Sequence, residues 1–262
     1  MNTSAMPQSP RLFWEAAATP GEVQVRFGPR YQGQFGFRRL LLAETLLGLM
    51  QQQIPPGSWR LRSAVLRFAE NPAPQPAALE TVHRPVFPSS ILASVRLLQN
   101  DEVLATCVGA FDREWRPPAV AFQAPPAFGP PEQLPLLQNW PEDAENDCRD
   151  ASGELWTRSK LPLLGGFVRR RDARAFSPGD VPTLLEPWLS MPDPNGHWRE
   201  VTELTVDMLA PEPSPPAIAS DYHQVLLERC DWAQRTERLL GSIWTRFGNP
   251  VAALHVSTRL TD

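Results

Sequence analysis

The sequence predicts an α+β chain built from two tandem copies of one unit, in which a single apolar helix covers an antiparallel sheet. Three observations predict it. Two stretches open alike, "WRLRSAVLRFAENPAPQP" from Trp59 and "WREVTELTVDMLAPEPSPP" from Trp198. Each half of the chain shows the same order of elements: a strand, a helix and four strand-like runs. A long Pro-rich and acidic stretch separates the halves. Similar elements in a repeated order at a shared offset are the signature of internal duplication.

In the first half, "EVQVRFG" alternates apolar and polar residues as a half-buried strand does. In "YQGQFGFRRLLLAETLLGLMQQQ", Gly33 and Gly36 precede Leu42, Leu46 and Leu49 at helical spacing, predicting a helix of about four turns. The runs "RLRSAVLRFA", "ALETVHRPV", "ILASVRLLQ" and "VLATCVGAFD" read as strands, and the polar "NDE" between the last two fits a hairpin turn.

The second half repeats this order. "GGFVRRRDA" is strand-like, and "DVPTLLEPWLSM" is a shorter helix with Asp180 as its expected N-cap and Pro187 as a break or bend, unless the helix starts at Pro187. Strands follow in "EVTELTVDML", "DYHQVLLERCDWAQ", "RLLGSIWTRF" and "VAALHVSTRL", the last two flanking a "GN" turn. The 139-residue offset between Trp59 and Trp198 carries Ser63 onto Thr202, Leu46 onto Leu185 and Leu49 onto Trp188. The closing hairpins need a larger offset, 147 from Leu104 to Val251. These boundaries give an N-terminal unit over 20–115, a linker over 116–152 and a C-terminal unit over 153–262. Proline, at 30 residues, clusters in the linker and in two turns, because it is excluded from helix interiors and central strands.

Composition narrows the function. A net charge of −4 gives no reason to expect nucleic acid or an anionic membrane as partner. The longest apolar run, "LLLAETLLGLM", is too short to span a bilayer, and the first twenty residues lack a signal-peptide core. Cys107, Cys148 and Cys230 are widely spaced and odd in number, as expected of reduced thiols in the cytoplasm. The four histidines, His83, His197, His223 and His255, lack metal-ligand spacing, and no GxSxG, Walker, GxGxxG or HExxH motif occurs. Neither a metal nor a cofactor is expected.

Four stretches carry a family resemblance: "YQGQFGFRRLLLAETL", "SVRLLQNDEVLATCVGAF", "VTELTVDML" and "GSIWTRFGNPVAALHV". They resemble the glycine-rich helix entry, the strand–turn–strand that ends the first copy, the strand after the second helix and the closing hairpin of double-hotdog acyl-CoA thioesterases, the thioesterase II group and its wider superfamily. The resemblance implies a double hotdog, two tandem copies of a curved antiparallel sheet wrapping a central helix. It implies an acyl-CoA or acyl-carrier-protein substrate, with the acyl chain between helix and sheet. Dimerisation of the double unit is a further implication.

The resemblance also implies a site: an Asp on the second helix, a Thr or Ser on the next strand and a Gln on the last strand. Thr202 matches the hydroxyl. The Asp is absent, and the nearest carboxylate is Glu186. The Gln falls on Val256; its neighbours His255 and Ser257 face the opposite side of a strand and take the place of the Gln, with His255 the catalytic candidate, only if the register shifts by one residue. In the first copy, Glu44 is a second candidate base, or else the one exposed residue of a core helix. Amides near Gly33 and Gly36 would polarise a thioester carbonyl, or the glycines serve a tight helix entry. Arg169 to Arg171 read as solvated surface or as contacts to coenzyme A phosphates. Three functions stay open: a thioesterase, a catalytically degenerate acyl-binding or scaffold protein, and a hotdog dehydratase-like enzyme.

Overall fold

The structure, a computed structural model, describes residues 13–16, 22–33, 36–55, 58–73, 75–114, 125, 128–138, 140, 145–151, 163–172, 176–190, 192, 196–210, 221–233 and 235–261. In the first half, β1 (Phe13–Ala16) and β2 (Glu22–Arg26) lead to a short ribbon of β3 (Gln32–Gly33) and β4 (Gly36–Phe37). Then come α1 (Arg39–Gln52), β5 (Arg60–Phe68), β6 (Ala77–Phe87), β7 (Ser90–Gln99) and β8 (Glu102–Asp112). In the second half, β9 (Asn146–Asp150) and β10 (Leu163–Arg170) lead to α2 (Val181–Leu189). There follow β11 (Trp198–Met208), β12 (His223–Ala233), β13 (Thr236–Thr245) and β14 (Pro250–Thr261).

Among the described residues, twelve strands form one sheet in the order β1-β2-β6-β7-β8-β5-β11-β14-β13-β12-β10-β9. The order reads as a mirror image about the β5–β11 pair. At that seam the strands run antiparallel, with Val65 opposite Thr205 and Leu66 opposite Leu204. The β7–β8 turn is closed by Asn100 at φ 53° and Asp101 at φ 66°. Two adjacent left-handed residues are what a two-residue hairpin turn needs to match strand twist.

The register corrects the 139-residue offset. A β-bulge lies between Leu61 and Ser63 in β5 and between Val201 and Glu203 in β11. Matching the bulges places Arg62 on Thr202 and Ser63 on Glu203, an offset of 140. Burial agrees: Leu61, Ala64 and Leu66 face the core in β5, as Val201, Leu204 and Val206 do in β11. A one-residue slip would exchange the faces of the strand, so the buried side fixes the choice. The partners of Leu61 and Val201, Phe111 and Thr258, keep the 147-residue offset of the closing hairpins.

The helices α1 and α2 pack against the sheet and against each other. Leu41, Ala43, Leu46, Leu47 and Met50 of α1 have no exposure at all. A helix enclosed on every side must be apolar all round, and so α1 carries no polar stripe. Glu44 is therefore not exposed but 5% accessible, which corrects that alternative. Gly109 of β8 lies under Met50, where an added Cβ would come within 2.4 Å of the Met50 methyl.

Helix α2 runs through Pro187 to Leu189. Proline has no N–H for the carbonyl four residues back, and that carbonyl, Thr183, instead accepts the Asn146 side-chain amide at 3.1 Å. Strand β9, inside the stretch expected to be linker, thus repairs the helix. Asp180 does not cap α2 through its own side chain; it accepts the Ser177 N–H at 2.6 Å in a capping box around the 3-10 turn Pro178–Asp180. The linker residues 116–124, 126–127, 139 and 141–144, and the Pro-rich 211–220, lie outside the described residues.

Candidate functional site

The ribbon β3–β4 delivers the chain to the N-terminus of α1, and Gly36, at φ 103°, takes a conformation that a side chain rarely adopts. Arg38 then stands at the N-cap without a side-chain cap, followed by Arg39 in the first turn. Two arginines here oppose the helix dipole, so their charges must be met from elsewhere. They are met from the second half of the chain.

Arg38 donates Nε–H and Nη2–H to the two oxygens of Glu186, both at 2.6 Å. Glu186, on the last turns of α2, is 3% exposed. Arg39 donates to Glu200 at 2.5 Å, to the Val201 carbonyl at 2.8 Å and to Asn71 at 2.7 Å. Arg30 donates to Glu145 at 2.6 Å. Burial works against the charge of Arg38, but the hydrogen bonds and charge of Glu186 outweigh it and raise its pKa. Burial lowers the pKa of Arg39, with Glu200 offsetting part of the effect. Burial also disfavours the Glu145 carboxylate, yet Arg30 and Arg38 hold it below the usual carboxylate range.

These groups surround a cavity of about 510 Å³. Its walls come from both halves: Gly33, Gly36, Phe37 and the first residues of α1 on one side, Glu186, Leu189 and Ser190 with the start of β11 on the other. Trp140 and Trp198 add aromatic surface. Backbone N–H groups at a helix N-terminus suit a developing negative charge, and a carboxylate faces the same space.

The surroundings of Glu44, the carboxylate of α1, are built differently. Glu44 and Arg170 meet at 3.3 Å, and the same Arg170 guanidinium reaches Asp180 and Thr183, each at 3.3 Å. Arg170 is only 5% exposed, with its pKa raised by Asp172, Glu44 and Asp180 against the cost of burial. The expectation that it is solvated is thereby corrected: the strand turns Arg170 inward, while Arg169 faces out, bound to Asp147 at 2.7 Å. Neither arginine lines the cavity.

Of the residues expected at a site, the cavity gathers Glu186, Gly33 and Gly36. Thr202, Glu44 and His255 are not among its described lining. Thr202 sits in the β11 bulge and donates to the Ser257 carbonyl at 3.1 Å. His255 is exposed, while its neighbour Val256 points into the core. The cysteines are free, and burial pushes the Cys107 and Cys148 thiols up, away from thiolate. Arg38, Arg39 and Glu145 are missed by motif reading. The signal for the arginines was present as "FGFRRL", two cations where a helix start disfavours them.

No protein-family model matches the sequence, and no curated protein matches it by sequence. The structure does have counterparts. A protein of unknown function with a hot dog fold from Alicyclobacillus acidocaldarius superposes with a TM-score of 0.76 at 15% identity, covering 94% of this chain and 95% of the other. This is a hotdog fold. An acyl-CoA thioesterase II from Mycobacterium marinum is similar at TM-score 0.72 and 16% identity, covering 95% of each chain. A dehydratase domain from Mycobacterium tuberculosis, solved with an acyl-CoA, gives 0.51 at 12% identity over 96% of this chain and 99% of the other. Among the described residues no helix of this hotdog chain is long and apolar enough to cross a membrane.

Proposed function

We propose that this chain is a double hotdog, with one copy in 20–115, a connection in 116–152 and a second copy in 153–262, and that it hydrolyses an acyl thioester in the cavity between the copies. The observation that carries this reading is that Glu186 of one half and the N-terminus of α1 from the other face one cavity. The thioester carbonyl oxygen lies against the first amides of α1, beside Gly33 and Gly36. Glu186 takes a proton from water as the water oxygen bonds to the carbonyl carbon. The tetrahedral oxyanion is stabilised by the helix amides. It collapses with cleavage of the C–S bond, and the thiol leaves with the proton, giving a free carboxylic acid. The substrate is an acyl group on coenzyme A or a carrier protein, no cofactor takes part, and the free thiols fit a cytoplasmic setting.

A second reading is favoured by a specific contact. Both oxygens of Glu186 are engaged by Arg38, and a base must free one of them to reach water. The hydroxyl of Thr202 is spent on Ser257, and Val256 stands where the related site has Gln. On this reading the hotdog binds acyl thioesters without turning them over. A dehydratase-like reaction is ranked last, because no histidine lies in the described lining.

One experiment separates these readings. Thiol release is measured on a panel of acyl-CoAs, and binding of the same compounds by titration calorimetry. Release supports the hydrolase, binding without release supports the second reading, and neither one contradicts both.

A further inference from the structure

Resting on the acyl-thioester reading, we infer that Tyr31 closes the inner end of the cavity and restricts the substrate to short acyl groups. Phe37 lines the cavity. Behind it, and 1% exposed, Tyr31 stacks on Phe37 with ring centroids 6.0 Å apart and planes 18° from parallel. Phe27 meets both rings edge-on, at 5.2 Å and 5.5 Å, and fixes the stack from the side. The Tyr31 hydroxyl shares a 2.6 Å hydrogen bond with Thr45, more than a turn along α1 from the cavity mouth. The ring therefore occupies the path along α1 that a long acyl chain would follow from the cavity into the core.

Beyond Tyr31 the path stays closed. Leu41, Leu46, Leu47 and Met50 have no exposed surface, and the end of the Met50 side chain packs against Gly109 of β8. A long chain would have to displace packed side chains, which close-packed interiors resist. A tail that instead stayed in the cavity would lie beside the Arg38 and Arg39 guanidiniums, where apolar groups gain little. The placement of an acyl chain between helix and sheet, expected from the resemblance, is thus limited to its first few carbons.

The test measures kcat/KM and binding for acetyl-, butyryl-, hexanoyl- and palmitoyl-CoA with the wild type, Tyr31→Leu and Tyr31→Phe. The wild type is expected to favour the shorter compounds over palmitoyl-CoA by at least tenfold. Tyr31→Leu opens the path and moves the preference towards palmitoyl by at least tenfold. Tyr31→Phe keeps the ring and the wild-type profile. Should Tyr31→Leu fail to fold, Phe37→Leu at the half-buried cavity wall gives the same shift in weaker form. A wild type that handles palmitoyl- and hexanoyl-CoA equally overturns the inference while leaving the acyl-thioester reading intact, as does a folded Tyr31→Leu with an unchanged profile. A wild type that neither binds nor cleaves any of the four overturns both.

Discussion

Glu44 of α1 and Glu186 of α2 are each held by an arginine from the opposite half of the chain. The exchange is reciprocal, Arg170 to Glu44 and Arg38 to Glu186, so each half supplies a charge that the other must neutralise. The two places are not equal. Arg170 is also shared with Asp172, Asp180 and Thr183 and fills its site, whereas Arg38 leaves a cavity beside Glu186. Of these two carboxylates, Glu186 lines the cavity and Glu44 does not.

Breaking the open pair strands a buried charge. Arg38→Met is expected to lower the unfolding free energy by about 2–3 kcal/mol, since Glu186 then lies buried without its partner. Adding Glu186→Leu removes that carboxylate and recovers most of the loss. Urea unfolding of both variants checks this, and equal losses would show that the pair contributes through packing alone.

Asn146 carries a helix bond for proline. Asn146→Ala leaves the Thr183 carbonyl without its donor in a buried setting, at a cost of about 1–2 kcal/mol. Replacing Pro187 by Ala in the same background restores a backbone donor at the position where the helix lacks one. Thermal melts of the single and double variants should show the loss and its partial return.

Stability should fall on mild acidification because of His223. This imidazole is 2% exposed and stacks on Phe176 with centroids 4.9 Å apart. Burial lowers its pKa to about 4, with Asp221 opposing the shift. The unfolded chain protonates near pH 6.5, so between about 6.5 and 4 it binds more protons than the folded chain. Stability from this group is complete above pH 6.5 and is lost as pH falls to about 4, by about 3 kcal/mol in total. His223→Phe should flatten that part of a stability-versus-pH curve, and an unchanged slope would contradict the assignment.

Much of the fold was legible because its signals are local. Alternation marks the strands, Asn100 and Asp101 mark a turn, and the apolar run of α1 marks a helix enclosed on all sides. The register was not. The bulges at Arg62 and Thr202 have no composition of their own, and they shift the match between β5 and β11 by the single residue that exchanges faces. Strand β9 was hidden in "NDCRD", whose charges suit an acidic linker but whose Asp147 is met here by Arg149, Arg169 and Tyr222. Of the residues that line the cavity, Glu186, Gly33 and Gly36 were named from the sequence. Their arginine partners could not, because Arg38 and Glu186 are 148 residues apart and meet only when the two halves pair.

The most direct test compares Glu186→Gln with Glu44→Gln for thiol release from a short acyl-CoA. General-base catalysis contributes about 10²–10⁴-fold, so Glu186→Gln should lose at least a hundredfold in kcat while still binding the thioester. Glu44→Gln should keep kcat within a fewfold of wild type, since Glu44 faces Arg170 and not the cavity. Equal losses in the two variants, or full activity in Glu186→Gln, would contradict a single open site at the N-terminus of α1.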